Sequence, residues 1–412
     1  MIQYNRDKLN NGLTVITHKD SSTPIVAVNV LYKVGSRDEE PEKTGFAHLF
    51  EHLMFGGSIN IPVYDEPLEK AGGENNAFTN NDITNYYLTL PVQNIETAFW
   101  LESDRMLGLD FSERTLEIQK KVVSEEFRQR YLNQPYGDVW LYLRPLAYKV
   151  HPYRWATIGM DISHIENARL DDVKAFFKKY YNPSNAILAV CGNIDHDNIM
   201  CMIEKWFGNI QPGETNKFIY PLEPEQLEAR KQVLKRVIPQ KMIFKAWKMC
   251  SRTDKKFYAT DLLSDILSAG TSSRLYEELV KKKKIFTEIN AYITGEAGEG
   301  LFVVSGRIND NNDFETAEKN IMQELNKVIT DGVSKRELEK IKNRAETIFT
   351  FSNIQVLNKA MSLAYADFLG NVELINNDIL YFQKVTAEEI QNIAKELFDE
   401  NKSNTLYYDK IQ

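Results

Sequence analysis

The stretch from Gly35 to Ser58 reads GSRDEEPEKTGFAHLFEHLMFGGS, and the interpretation of the whole chain starts from it. Apolar residues recur at helical spacing and a glycine pair follows them, which predicts a helix over Thr44–Phe55. His48 and His52 stand four residues apart on this helix and therefore share one face, with Glu51 beside them. Chance would produce His-x-x-acid-His only about 0.01 times in a chain of this composition. Two imidazoles on one helix face form a good partial site for a divalent metal ion.

A catalytic zinc ion usually has three protein ligands and an open position. The best source of the third ligand is KKVVSEEF at Lys120–Phe127, where two valines would seat a helix against the core. Its adjacent carboxylates, Glu125 and Glu126, face about 100° apart on a helix, so only one of them can meet the metal. The spacing leaves both glutamates open as candidates. Histidine and carboxylate ligands also accept manganese or cobalt.

Strands and helices alternate through the first half of the chain. Helices are predicted at Glu96–Leu107 and Glu113–Tyr131. Strands are predicted at GLTVITHK, IVAVNVLYKVG and NAILAVCGNI, and a hairpin at NAFTNNDITNYYLTLP. Antiparallel strands mixed with long helices predict an α+β fold.

Three segments of the first half resemble three segments of the second half, in the same order and at offsets of 213 to 222 residues. The pairs are LFEHLMFGGS with LLSDILSAGT, SERTLEIQKKVVSEEF with SKRELEKIKNRAETIF, and DDVKAFFKKYYNPSN with EEIQNIAKELFDENKSN. A nearly constant offset indicates duplication. We therefore predict a catalytic half over 1–210, a proline-containing linker over 211–232 and a homologous half over 233–412.

The composition excludes several classes of protein. Lys and Arg number 50 against 58 Asp and Glu, a net charge of −8, which disfavours nucleic acid as a partner. The longest apolar run, near Ala186–Val190, is far shorter than the roughly 20 residues that span a bilayer, so no membrane partner is expected. The start of the chain lacks a signal pattern, which predicts a cytoplasmic protein, or a periplasmic or exported one if a leader was removed.

The motifs taken together resemble the inverzincin metallopeptidases of the pitrilysin/insulinase type, which include mitochondrial processing peptidase. The resemblance covers most of the chain and includes LNNGLTVI, the Gly35–Ser58 stretch, AGGENNAFTNNDITNYYLTLP, VVSEEF, HPYRWATIG, YYNPSNAILAVCGNI and AGTSSRLYEEL. It implies that each half is a mainly antiparallel sheet packed against several helices, and that the two halves form half of a clamshell chamber.

The same resemblance implies a zinc endopeptidase with Zn²⁺ held by His48, His52 and Glu126, which lies 74 residues after His52. Glu51 is then the general base. Other carboxyl and amide groups of the same segment are candidates to support the ligands without binding the metal: Glu117, Gln119 and Glu125. The resemblance also implies an edge strand to which a peptide substrate adds, formed by Asn76, Ala77, Phe78 and Thr79.

The duplication implies one zinc ion per chain. The second-half counterparts of His48, Glu51, His52 and Glu126 are Asp261, Ser264, Asp265 and Ile348. Isoleucine cannot bind zinc, so we expect the second half to be metal-free.

The chain departs from the family where single-chain relatives carry an Arg and, seven residues later, a Tyr that hold the substrate. Val280 and Thr287 stand at these positions. Nearby side chains that could substitute are Arg274, Tyr276 and Tyr292. The departure predicts a heterodimer with a homologous subunit that supplies the Arg/Tyr pair. A self-sufficient homodimer and a non-catalytic structural or binding subunit of the same fold stay open as alternatives.

Overall fold

The computed structural model describes residues 1–213 and 219–411, and within them eleven β-strands form two sheets among fourteen α-helices. The strands are β1 Asn5–Lys8, β2 Thr14–Lys19, β3 Ile25–Tyr32, β4 Glu74–Thr79, β5 Thr84–Pro91, β6 Ala186–Gly192, β7 Arg230–Arg236, β8 Met242–Ser251, β9 Phe286–Ile293, β10 Glu299–Ile308 and β11 Asn404–Lys410. The α-helices are α1 Phe46–Leu53, α2 Asp65–Lys70, α3 Ile95–Leu107, α4 Glu113–Glu126, α5 Val139–Ala147, α6 Ile162–Glu166, α7 Leu170–Tyr180, α8 His196–Phe207, α9 Lys256–Ser268, α10 Phe314–Asp331, α11 Lys335–Ser352, α12 Val356–Phe368, α13 Leu374–Lys384 and α14 Ala387–Leu397. Short 3₁₀ turns and two π-helical segments complete the helical structure, at Ser36–Asp38, Val92–Asn94, Phe127–Leu132, Pro152–Arg154, Pro183–Asn185, Tyr276–Lys282 and Glu400–Lys402. No helix in the described part of the chain has the length and apolar character needed to cross a membrane.

The first sheet has the strand order β1-β2-β6-β3-β5-β4. Only β2 and β6 pair in parallel, and the other neighbours are antiparallel. The predicted hairpin is confirmed as β4 and β5, whose turn is closed by the Asn80 N–H donating to the Ile83 carbonyl at 3.0 Å. Strand β4 lies at the edge of this sheet.

The second sheet repeats this pattern. Its order is β7-β11-β8-β10-β9, and again one pair, β7 and β11, is parallel while the rest are antiparallel. Taken in chain order, its five strands occupy the positions of β2 to β6, and β1 is an addition to the first sheet. The prediction of an α+β fold with two corresponding, mainly antiparallel sheets is therefore confirmed.

The chain forms two compact units that exchange segments of sequence. The first unit consists of Met1–Arg128, Trp155–Tyr220 and Thr350–Asn377. The second consists of Gln129–Arg154, Pro221–Phe349 and Asp378–Gln412. The predicted linear division into 1–210 and 233–412 differs from this because it assigns 129–154 and 350–377 to the opposite halves.

The exchanged segments cover the apolar faces of the sheets. In the first unit, Ala360 and Leu363 of α12 are completely buried against a cluster that includes Ala27 and Ile187. In the second unit, Leu143 and Ala147 of α5 are completely buried against a cluster that includes residues of β8, β10 and β11. The exchanged segments therefore bury apolar side chains that each sheet would otherwise expose to water.

The structure describes only part of the predicted linker 211–232. Residues 214–218 lie outside the described residues. Strand β7 begins at Arg230, within the predicted linker. One of the five points at which the chain passes between the two units, Tyr220 to Pro221, lies within the predicted linker.

Helix α1 runs from Phe46 to Leu53, two residues shorter at each end than predicted. Gly45 precedes it with a φ of +89°, and a Cβ at this position would lie 2.6 Å from the Ile158 carbonyl oxygen. Only glycine satisfies both conditions without strain. Leu49 lies on the buried side of the helix and has no exposed surface.

A buried carboxylate holds the N-terminus of α1. Glu39 accepts hydrogen bonds from the Gly45 N–H and the Ala47 N–H, each at 2.8 Å. These donors belong to the first turn, where backbone N–H groups have no partner within the helix. Burial raises the pKa of Glu39 well above its ordinary value, while the two N–H donors oppose that shift. The contact fixes the position of the helix that carries His48 and His52.

Replacing Glu39 should destabilise the protein. In Glu39→Gln the amide can accept only one of the two N–H bonds and places its NH₂ group against the other donor. We expect the free energy of unfolding, measured by urea titration, to fall by about 1–3 kcal/mol. Glu40→Gln is the matched control, because the neighbouring Glu40 side chain is 68% exposed and should tolerate the change. Equal stability of the two variants would contradict this role of Glu39.

Candidate active site

His48 and His52 lie one turn apart on α1 and bring their imidazoles close to Glu126. The His48 Nε2 and His52 Nε2 atoms lie 3.7 Å and 3.4 Å from Glu126 Oε2. One ligand atom from each of the three residues lies within 4.8 Å of the others. Ligands of a tetrahedral zinc ion, at about 2.1 Å from the metal, stand roughly 3.4 Å apart. The donor types and their separations therefore fit a zinc ion.

The end of α4 decides which of the two adjacent glutamates approaches the histidines. Val123 is fully buried and anchors the helix, which continues as the π-helical segment Phe127–Leu132. The Glu126 side chain is 15% exposed, whereas that of Glu125 is 56% exposed with its Oε2 3.9 Å from Arg128 Nη1. The structure thus brings Glu126 to the histidines and leaves Glu125 on the outer side of the helix.

Glu51 lies beside the histidines and is tied to strand β4. The Thr79 hydroxyl donates a hydrogen bond to Glu51 Oε2 at 2.6 Å. Burial raises the pKa of Glu51 above its ordinary value, and the charge of Glu126 adds to the effect, while the bond from Thr79 and the charge of His52 oppose it. A carboxylate whose pKa moves toward neutrality is better suited to accept and return a proton.

Two other residues of α4 lie on different faces. At 100° per residue, Gln119 lies within about 20° of the direction of Glu126, and Glu117 lies on the opposite face. Glu117 forms an ion pair with Lys120 at 2.6 Å, and its side chain is 52% exposed. The structure places Gln119 on the side of the site and does not bring Glu117 there.

Strand β4 presents a free backbone edge, because β5 is the only strand in the described part of the chain that pairs with it. The closing bond of the hairpin turn fixes which backbone groups point outward, since pairing alternates along an antiparallel strand. Asn76 and Phe78 face β5. Asn75, Ala77 and Thr79 face the free edge, so two of the four predicted edge residues have outward backbone groups.

The side chains of β4 also alternate. Asn76 and Phe78 are exposed, and Ala77 and Thr79 are half-buried on the side of α1. The Asn76 side chain accepts a hydrogen bond from the Ala77 N–H at 2.8 Å. This contact covers one of the outward N–H groups of the free edge.

The second-half counterparts of the ligands form no comparable group. Asp261, Ser264 and Asp265 lie on α9, and Ile348 lies on α11. Asp265 Oδ2 lies 3.5 Å from Arg344 Nε, and the Ser264 hydroxyl donates to the Asp261 backbone carbonyl at 2.8 Å. A guanidinium beside Asp265 opposes a second cation. Among the described residues, His48, His52 and Glu126 are the only group of this kind.

The side chains of Val280 and Thr287 make contacts within the second unit. Val280 packs against the apolar core of the second unit. Thr287 is exposed, and its hydroxyl donates to Gln240 Oε1 at 3.2 Å. Neither side chain offers the cationic donor that the family has in this region.

Three residues were predicted as possible substitutes for the missing Arg/Tyr pair, and the structure places them in different environments. Arg274 is engaged with Glu337, its Nε lying 2.7 Å from Glu337 Oε1. Tyr276 begins the π-helical segment Tyr276–Lys282. Tyr292 is half-buried in β9, and burial raises its pKa to about 12. The arginine is thus already used in an ion pair within its own unit.

Sequence reasoning missed two contacts that shape the site. Glu39 was not predicted to hold α1, although a glutamate six residues before the glycine that precedes the helix could have suggested a cap. Thr79 was predicted only as part of the substrate edge. Its hydrogen bond to Glu51 depends on how β4 packs against α1, and no local pattern in the sequence indicates that packing.

Known proteins of the insulinase type are similar to this chain in sequence. Residues 14–143 match the model of the insulinase family, peptidase family M16, and residues 167–345 match the M16 inactive domain. The zinc protease PqqE of Helicobacter pylori is 30% identical over 97% of this chain and 91% of its own length. An uncharacterized zinc protease of Bacillus subtilis, YmxG, is 25% identical over 95% of both chains.

Solved structures share the fold. A protease from Helicobacter pylori superposes with a TM-score of 0.94 at 29% identity, over 99% of this chain and all of that one. Pitrilysin, at 17% identity, shares the fold with a TM-score of 0.79 over 99% of this chain and 45% of its own. With two family models matched in succession and a relative 30% identical along nearly its whole length, the chain belongs to the insulinase family of peptidases, peptidase family M16.

Proposed function

We propose that the chain is the catalytic subunit of a zinc-dependent endopeptidase. The observation that carries the proposal is the convergence of His48, His52 and Glu126, with Glu51 beside them. Zinc protease relatives that align over nearly the whole chain support it. One zinc ion per chain is expected, because the corresponding positions of the second half lack a complete ligand set, with Ile348 in the place of Glu126.

The residues of the site have different roles in the proposed amide hydrolysis. A zinc ion bound there would polarise the scissile carbonyl and lower the pKa of water toward about 7. His48, His52 and Glu126 would hold the ion. Glu51 takes the proton of the attacking water and returns it to the leaving amine.

The free edge of β4 is proposed to bind the substrate as an added strand. Main-chain pairing of this kind gives affinity with little dependence on side chains. The outward backbone groups of Ala77 and the outward carbonyl of Thr79 would take part, and Asn76 would release the Ala77 N–H when a substrate pairs with it. Peptides and unfolded segments are the substrates that can adopt the extended conformation this requires.

A homologous subunit is proposed to complete the site. Val280 and Thr287 cannot supply the Arg/Tyr pair, and Arg274 is engaged with Glu337. Without the Arg and Tyr donors, the oxyanion that forms at the scissile carbonyl loses part of its stabilisation. A heterodimer in which the partner brings both residues is the arrangement we favour over a homodimer.

Metal binding distinguishes the two adjacent glutamates. We expect Glu126→Gln to weaken zinc binding on the order of 100-fold or more, because it removes one of three ligands. Glu125→Gln is the matched variant one residue away and should bind zinc like the wild type. Competition with a chromophoric chelator gives both affinities. The reverse result would make Glu125 the ligand.

Substitution of Glu51 tests its role in proton transfer separately from metal binding. In the assembled enzyme, Glu51→Gln should lower the rate of fluorogenic-peptide cleavage by about 10²- to 10⁴-fold while the zinc content stays at one per chain. A chelator should abolish the wild-type activity, and added zinc should restore it. Full activity of Glu51→Gln would exclude Glu51 as the base.

The partner is tested by assaying the chain alone and in a mixture. We expect little cleavage by the purified chain and substantial cleavage after adding a homologous chain of the same genome that carries the Arg/Tyr pair. Replacing that arginine in the partner should remove the gain. Activity of the chain alone would favour a homodimer, and inactivity of both samples would favour a non-catalytic subunit.

A further inference from the structure

Thr79 connects two parts of the site that the proposed function treats separately. It is the last residue of β4, and its backbone lies on the side of the free edge, where its N–H contributes a hydrogen bond to the Glu51 carboxylate and a substrate strand would pair alongside. Its side chain is half-buried on the side of α1, where the hydroxyl donates to Glu51 Oε2 at 2.6 Å. A single residue therefore joins the substrate edge to the carboxylate proposed as the base.

The hydrogen bond from the hydroxyl restricts the terminal torsion of the Glu51 side chain. A glutamate carboxylate has a broad, roughly two-fold terminal torsion, so its oxygens have no fixed direction unless a donor holds one of them. The Thr79 hydroxyl holds Oε2, and the Thr79 backbone N–H contributes a second, smaller hydrogen bond to the same carboxylate. Thr79 is itself β-branched and lies in a strand, so its own rotamers are few.

The position of β4 extends this restriction to the substrate. The backbone of β4 is fixed by its register with β5, which shows no irregularity between Glu74 and Thr79. A peptide paired with the free edge would take its register from the same backbone. The direction of the Glu51 carboxylate and the position of the bound peptide would then share one reference.

We propose that Thr79 is a positioning residue, whose hydroxyl fixes the Glu51 carboxylate relative to the substrate edge of β4. It acts through Glu51 and does not itself react. The inference rests on the proposed function of Glu51 as the base. It predicts that the hydroxyl matters for turnover and little for zinc or substrate binding.

Two substitutions separate the hydroxyl from the shape of the side chain. Thr79→Val keeps the β-branched shape and removes the hydroxyl, and Thr79→Ser keeps the hydroxyl. In the assembled enzyme we expect Thr79→Val to lower kcat by about 10- to 100-fold, since a small misplacement of a catalytic group has effects of this size. KM should stay within about twofold and zinc content should not change. Thr79→Ser should retain kcat within about threefold.

A matched control and a structural readout complete the experiment. Thr89→Val makes the same exchange on β5, opposite Glu74 and on the other face of the sheet, and should leave kcat unchanged. Crystal structures of the metal-free variants should show one Glu51 side-chain conformation in wild type and Thr79→Ser, and several in Thr79→Val. This readout does not depend on activity.

The results also separate this inference from the proposed function. If Glu51→Gln is inactive while Thr79→Val has wild-type kcat and a single Glu51 conformation, the role of Thr79 is excluded and that of Glu51 stands. Equal losses in Thr79→Val and Thr79→Ser, or a loss confined to KM, would also overturn it. Full activity of Glu51→Gln would overturn both.

Discussion

The four-residue spacing of two histidines on a short, firmly held helix is the constraint on which the candidate site depends. Imidazoles at i and i+4 can meet one ion only if the helix between them is regular. Helix α1 has just eight residues, too few to be stable by itself in water. Its regularity therefore comes from its surroundings, which are the Glu39 carboxylate at one end and the apolar core beneath Leu49.

The remaining groups of the site come from elements that pack against this helix. Helix α4 brings Glu126 to the two imidazoles, and strand β4 brings Thr79 to Glu51. Each element is fixed by contacts of its own, α4 by buried Val123 and β4 by its register with β5. The separations in the site thus depend on the packing of three elements and not on one loop, which suits a site that must hold atoms to fractions of an ångström.

Local patterns were sufficient to predict part of this arrangement. The histidine pair, the hairpin and the buried strand β6 follow from spacing and alternation. The choice between Glu125 and Glu126 did not, because both are equally near in sequence and only the phase of α4 against α1 separates them; the family resemblance favoured Glu126. The segment exchange was missed for a related reason. The apolar face of α12 shows that the helix is buried but carries no information about which sheet covers it.

The exchange of α12 has a consequence for biosynthesis. The last strand of the first sheet, β6, ends at Gly192, but the helix that covers the apolar side chains of Ala27 and Ile187 begins only at Val356. A ribosome that makes the chain from its N-terminus therefore releases the first sheet long before its cover. The nascent chain carries an uncovered apolar surface during that interval, and the first unit can reach its native packing only after Val356–Phe368 has been synthesised.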